Sequence, residues 1–324
     1  MRALDPAVAE VRVAVRAALA PAEPGKPVTV ACSGGADSMA LAAAVAFEAP
    51  RAGIAAGAIT IDHGLQPGSA ERASTLTAQL RGLGLDPVSV ATVAVDGPGG
   101  PEAAARRARY AALESAQSGR GGWVALGHTL DDQAETVLLG LGRGSGPRSL
   151  AGMSPARYPW LRPLLSVRRA TTRAACAAEG LPVWDDPHNS DPAYTRVRVR
   201  HEVLPLMEDV LAGGVAEALA RTADLLRADC DALDAIAAEL AADRLAETAP
   251  AVGVFEGLAP ALRRRLLRSW LSGVGGLTAA HLAAVDALLV DWHGQRAVTL
   301  PGGWEVRRSS GRLHLCTTAR SKKY

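Results

Sequence analysis

The first two hundred residues alternate short apolar runs with helix-period stretches, and that alternation restricts the fold more than any other feature of the chain. Val28 to Cys32 reads as a buried strand, followed by a glycine turn and a helix from about Ser38. Ala55 to Ile61 is a second predicted strand, with a helical stretch through Leu80 behind it. Val88 to Val95 is a third, and Pro101 then opens a helix to about Gln117, at a position where its missing amide hydrogen costs nothing. Trp123 to Leu126 is a fourth strand, followed by a helix through Leu141. Apolar strands separated by helices predict an α/β fold with a doubly wound, mostly parallel sheet covered on both faces. In such sheets ligands gather at the carboxyl ends of the strands.

Beyond this region the pattern changes. Leu211-Ala212-Gly213-Gly214 reads as a joint, which divides the chain into expected domains over residues 1–212 and 213–324. The second is predicted to be smaller and helical, with helices to about Glu247, from Ala261 to Leu271 and from Thr278 to Asp291. It should end in a short antiparallel meander: Ala297 to Leu300, Trp304 to Arg308 and Arg312 to Leu315. A length of 324 residues fits two domains, and 48% hydrophobic content supplies cores that 4% aromatics oblige to be built mainly from Ala, Val and Leu.

The formal net charge of +2 hides a segregation. Arg143 to Arg200 holds ten arginines against four acids, whereas His201 to Pro260 holds three against twelve. Charge alone fits a polyanion-binding face and chance clustering equally well. Cys32, Cys176, Cys230 and Cys316 form no C-x-x-C pair, so zinc, iron–sulfur and dithiol sites lack their usual spacing, and all four are expected to be small buried hydrophobes. No signal-peptide pattern and no bilayer-length apolar run occurs, so a soluble, cytoplasmic protein is expected.

Ser33-Gly34-Gly35-Ala36-Asp37-Ser38 lies between the first strand and its helix. Two glycines allow a tight turn and close approach to an anion, the helix presents free amides and its positive dipole end, and the serines add hydroxyls. The segment lacks the G-K-[ST] ending of a Walker A loop and the G-x-G-x-x-G of dinucleotide loops. Asp37 would repel a phosphate unless a divalent metal stood between them; the alternative is an ordinary turn with Asp at a helix start. S-G-G-x-D-S after a strand resembles the PP-loop ATP pyrophosphatases, with their adenine nucleotide alpha hydrolase-like fold. That resemblance implies ATP cleavage between the α- and β-phosphates, transfer of AMP to an acceptor, and a requirement for Mg2+.

Three further stretches fall at ligand edges or on a helix face. Ile61-Asp62-His63-Gly64-Leu65 ends the second strand, Arg106 and Arg109 share a helix face, and Gly127-His128-Thr129-Leu130-Asp131-Asp132-Gln133-Ala134-Glu135-Thr136 follows the fourth strand. Asp132 and Glu135 share a face there, and clustered acids need a metal or a cationic substrate unless they merely cap the helix. With Arg143-Gly144-Ser145-Gly146, Leu161-Arg162-Pro163-Leu164-Leu165, Asp186-Pro187-His188-Asn189-Ser190 and Tyr194 to Pro205, these stretches resemble the tRNA(Ile)-lysidine synthetases over roughly residues 28–206.

The resemblance implies ATP on residues 33 to 38 with Asp62 and Arg106 nearby, and Mg2+ near Asp37 and Asp132. It implies an isoleucine tRNA with a CAU anticodon, adenylated on its wobble cytidine and then attacked by free L-lysine. Arg109 or Arg106 would stabilise the α-phosphate, Glu135 or His128 would accept the lysine proton, and Arg196, Arg198, Arg200 and His201 would bind tRNA. Residues 1–212 would then be catalytic and 213–324 accessory or tRNA-binding. Val197 departs from the Asn common in the late basic motif, and Gln66 stands where a basic residue is common. A PP-loop tRNA thiolase and a non-catalytic tRNA-binding protein with a retained loop are the alternatives. The oligomeric state is left open, a homodimer included.

Overall fold

The structure, a computed structural model, describes residues 4–20, 25–64, 68–94, 100–144, 146–245 and 247–317. Leu65, Gln66, the end of the third predicted strand at Val95, and Ser145 lie outside the described residues. The chain forms two compact units, Met1–Ser145 with Ser149–Asp224, and Gly146–Arg148 with Leu225–Tyr324.

In the first unit, helix α1 (Pro6–Leu19) precedes strand β1 (Val28–Ala31) and helix α2 (Ala36–Glu48). Then come β2 (Ala56–Asp62), α3 (Ser69–Gly82), β3 (Val88–Thr92), α4 (Gly100–Arg120), β4 (Trp123–Leu126) and α5 (Leu130–Gly142). A one-turn helix α6 (Pro147–Leu150), whose first two residues belong to the second unit, the two-residue strands β5 (Ala156–Arg157) and β6 (Trp160–Leu161), and α7 (Arg169–Ala178) follow. A further helical run comprises α8 (Thr195–Arg198), a π-helical turn over Val199–Val203 and α9 (Leu204–Val210), and it stops where Ala212, Gly213 and Gly214 all take positive φ. Helix α10 (Val215–Arg244) comes next, and the division between units falls within it, after Asp224.

The sheet order is β3-β2-β1-β4-β6-β5, parallel except for β5 against β6. All four residues of β1 are buried, as expected of a strand with parallel neighbours on both sides and helices on both faces. One face carries Val28, Val30, Met39, Leu41, Val45, Leu80 and Leu164; the other carries Ala31, Ile59, Leu113, Val124 and Leu126. Strand β3 stops at Thr92, short of the prediction, and as an edge strand it leaves Val90 half exposed. Helix α2 starts at Ala36, two residues earlier than expected, because Gly35 takes the extended N-cap conformation.

The chain turns outward in opposite directions from β1 and β4, so the crevice between their carboxyl ends is the topological switch point. Gly127, just past β4, sits so close to α2 that a Cβ there would lie 3.1 Å from the Asp37 carbonyl carbon and the Ser38 Cα.

The second unit holds the end of α10, α11 (Pro260–Trp270), α12 (Ala279–Val290) and an antiparallel sheet of β7 (Val298–Leu300), β8 (Trp304–Ser309) and β9 (Arg312–Thr317). Its core is Phe255, Leu266, Leu267, Leu271, Val285, Leu288, Val306 and Leu313. Thr278 caps α12 by accepting the His281 amide, and buried Asp286 holds Arg263 through two hydrogen bonds of 2.5 and 3.1 Å and Arg264 through one of 3.1 Å. Among the described residues no helix is long and apolar enough to cross a membrane.

Candidate active site

The loop after β1 is braced from within. Gly34 takes φ +86°, and its carbonyl accepts the Trp184 amide at 2.9 Å. The Ser38 hydroxyl donates to the Gly35 carbonyl at 2.9 Å and accepts the Ser33 amide at 3.2 Å, so it shapes the loop instead of reaching outward. Gly35 offers no side-chain cap, which leaves the first amides of α2 free for an anion.

A cavity of about 660 Å³ opens beside this loop. It is lined by Ser33, Gly34 and Gly35, the end of β2 through Asp62 and His63, Arg72 and Leu76 of α3, Arg109 of α4, and Trp184 with Asp186. Its volume suits a ligand of nucleotide size. Arg72 stacks on Trp184 with 4.9 Å from guanidinium carbon to ring centroid. Asp62 accepts the Gly64 amide at 2.9 Å, which fixes the turn that brings His63 to the wall. Burial and the nearby Arg109 push the His63 pKa down, and burial works against the charge of Arg109 itself. Ala36, Asp37 and Ser38 stand outside the cavity lining. Arg106 is exposed and stacks on Tyr110, so of the two arginines expected near phosphate only Arg109 lines the cavity.

A second constellation lies at the ends of β1 and β4. Thr129 and Asp132 form a capping box: Thr129 Oγ1 accepts the Asp132 amide at 3.4 Å, and Asp132 Oδ2 accepts the Thr129 amide at 2.8 Å. Asp132 therefore caps the helix with one oxygen and keeps the other, Oδ1, for Arg169 at 2.7 Å and Arg200 at 3.4 Å. Fully buried Glu135 receives Arg200 at 2.8 and 3.2 Å, Arg169 at 3.3 Å and Arg196 at 3.6 Å. Asp37 accepts the Thr172 hydroxyl and faces Arg169 Nε at 3.5 Å. Burial pushes the Asp37 carboxyl up, and its neighbour Asp132 adds to this, against Thr172 and Arg169. Burial also pushes Asp132 up, but Arg169, the Thr129 amide, His128 and Arg200 outweigh it and leave it below the usual range. His128 is pushed down to about 3, chiefly by burial, and its buried Nδ1 has no hydrogen-bond partner among the described residues.

The arginines of the late basic motif do not fan across one solvent face. Arg196 and Arg200 turn inward onto the carboxylates, while Arg198 points outward and pairs with Glu202, and His201 is exposed. The π-helical turn over Val199–Val203 carries Arg200 and lies just past Arg196; such turns recur at functional sites. Val197 is buried, an apolar choice for a packed position.

Arg169, Thr172, Trp184 and Arg72 escape sequence reasoning. Arg169 carries one signal: as the first residue of α7 it sets a cation against the positive end of a helix, which asks for an anion nearby. The four cysteines are free thiols, and Cys32, Cys176 and Cys230 are buried as expected, whereas Cys316 is only half-buried. Among the described residues no group of three or more His, Cys, Asp or Glu side chains is arranged to hold a metal. Asp37 and Asp132 both face Arg169, at 3.5 and 2.7 Å, so two carboxylates from different helices stand within reach of one cation.

The cavity at the carboxyl ends of β1 and β2, the braced loop and the sheet order define an ATP-handling domain of the PP-loop type. A PP-loop domain model matches residues 9–207, and a TilS substrate binding domain model matches residues 251–314. The fold is shared with a U34-tRNA thiolase of Methanococcus maripaludis, at a TM-score of 0.55 and 17% identity over 68% of this chain and 80% of that one. Curated relatives named tRNA(Ile)-lysidine synthase are much more similar. The protein of Leifsonia xyli is 56% identical over 89% of this chain and 90% of its own, and that of Thermobifida fusca 55% identical over 95% and 97%. The protein of Streptomyces coelicolor is 56% identical over 91% and 86%. The chain belongs to the tRNA(Ile)-lysidine synthase family.

Proposed function

We propose that the chain joins L-lysine to carbon 2 of the wobble cytidine of an isoleucine tRNA with a CAU anticodon, through an adenylated tRNA. The observation that carries this reading is the convergence of Asp37, Asp132 and Glu135 beside the loop cavity, a setting for a cationic amino acid next to a nucleotide.

ATP lies with its base and ribose in the cavity and its phosphates against Ser33, Gly34, Gly35 and the free amides of α2. The cytidine 2-carbonyl oxygen attacks the α-phosphorus, the bond to the bridging oxygen breaks, and pyrophosphate leaves. Arg109 takes up charge on the α-phosphate. Asp37 and Asp132 would hold Mg2+, which when bound offsets the charge of the departing pyrophosphate. The lysine ε-amine then attacks carbon 2, and the carbon–oxygen bond breaks to release AMP. Free lysine, with a pKa of about 10.4, arrives protonated. Glu135 takes the proton; His128, at a pKa of about 3, is too weak a base and acts as a neutral hydrogen-bonding partner instead. Exposed Arg198 and His201 contact the tRNA, and the second unit serves the same substrate; a tRNA substrate supports a cytoplasmic location.

The test is nucleoside analysis of isoleucine tRNA incubated with enzyme, ATP, Mg2+ and L-lysine. Lysidine should appear in proportion to pyrophosphate. Pyrophosphate release without lysidine would point to another acceptor chemistry.

A further inference from the structure

Arg169 has a position unlike that of the other arginines. Arg200 reaches Asp132 and Glu135, both on α5, and Arg196 reaches Glu135. Among the described residues Arg169 alone bridges all three carboxylates: Nε lies 3.5 Å from Asp37, and Nη2 lies 2.7 Å from Asp132 and 3.3 Å from Glu135. Asp37 belongs to the helix that opens on the nucleotide loop, and Glu135 to the helix proposed to receive lysine. One guanidinium thus holds together the two halves of the reaction.

Its anchoring lets the side chain leave without the backbone. The Arg169 amide donates to Asp131 Oδ2 at 2.8 Å, and its carbonyl accepts the Thr172 hydroxyl at 2.8 Å. The single hydroxyl hydrogen of Thr172 is shared between that carbonyl and Asp37, so removing the guanidinium still leaves Asp37 a donor within reach. Arg200 remains to partner Asp132 and Glu135.

We infer that Arg169 is a positioning residue that couples nucleotide binding to lysine binding, the identity of both ligands resting on the lysine reaction proposed for this site. Its single positive charge is shared among three carboxylates. Asp37 and Asp132, if they held a divalent cation with the nucleotide, would release two of the three anchors, and the added positive charge would repel the guanidinium. Glu135 then loses a competing cation and gains capacity for the lysine ammonium. The coupling is reciprocal, since each ligand must improve the other's affinity by the same factor.

The experiment is calorimetric titration of L-lysine into the full chain, with and without Mg2+ and α,β-methylene-ATP, which cannot release pyrophosphate. In the wild-type chain the nucleotide should tighten lysine binding by roughly 5–150-fold. In Arg169→Met, lysine alone should already bind near the tightened value, and the nucleotide should change it less than about twofold. A folded Arg169→Met that keeps the wild-type coupling, or a wild-type chain without coupling, overturns the inference. If Arg169→Met does not fold, Arg169→Lys decides: one ammonium cannot span three carboxylates, so undiminished coupling there also overturns it. Lysine that fails to bind the wild-type chain in either state removes the lysine site itself, an outcome distinct from binding without coupling.

Discussion

Replacing Glu135 by Gln removes a charge and a base while nearly preserving shape. The carboxylate is fully buried and receives Arg200 twice, Arg169 once and Arg196 at longer range. An amide offers one oxygen in place of two and turns an NH2 group toward guanidinium donors. Removing one member of a buried ion pair costs about 3–5 kcal/mol, here at the lower end because Asp132 still partners Arg169 and Arg200. For a unit of this size each kcal/mol is worth about 2–4 °C, so the melting temperature should fall by about 6–12 °C with the fold retained. In catalysis the two half-reactions should separate. Adenylation should persist, because Glu135 does not line the nucleotide cavity. Attack by lysine should slow about 10²–10⁴-fold from loss of the base. Single-turnover reactions with ATP labelled at the α-phosphate, run with and without lysine, would show adenylated tRNA accumulating. Equal loss of both steps would refute the assignment of Glu135 to lysine, and unchanged rates would make the cluster purely structural.

Asp37→Ala should abolish pyrophosphate release while leaving thermal stability close to wild type, since burial and Asp132 already work against this carboxylate; retained release by the folded variant would exclude it as a metal ligand. Arg198→Ala should reduce the log–log salt slope of tRNA binding by about one unit, whereas Arg200→Ala should alter lysine affinity and leave the slope unchanged; equal slopes for both would contradict their opposite orientations. The depressed pKa of His128 means that the unfolded chain binds a proton that the folded chain refuses below about pH 6.5. His128 therefore removes stability as pH falls from about 6.5 toward 3, by up to about 1.4 kcal/mol per pH unit, and His128→Gln should flatten that limb in denaturant titrations. Asp286→Asn should destabilise the second unit by about 3–5 kcal/mol, because the largely buried Arg263 keeps its charge; a change below about 1 kcal/mol in urea unfolding would mean solvent replaces the partner.

The sheet was legible because its first four strands are short, mainly apolar and separated by helices, and β4 has the limits its sequence predicts. The nucleotide loop was legible because glycines, hydroxyls and Asp37 follow one another in the chain. The acid cluster was only half legible. Asp132 and Glu135 share a face through the helical period, but their cationic partners come from 34 to 68 residues further along. No periodicity reports such a distance. The arginines at 196, 198 and 200 look like one belt in sequence, because alternation says nothing of which members turn inward. The strands β5 and β6 leave no trace there, because two residues are too few for a pattern.

The absent side chain at Gly127 sets the gap between the end of β4, which leads to Asp132 and Glu135, and the first turn of α2, which carries Asp37. The gap is thus fixed by backbone against backbone, independently of the charges that occupy it. Substitutions among the carboxylates and arginines change the electrostatics at constant spacing. Gly127→Ala would do the reverse, prying the end of β4 from the first turn of α2 by a few tenths of an ångström because the added carbon meets main chain that cannot rotate away. A comparison of the two kinds of variant would measure how much of the reaction rate depends on charge and how much on reach.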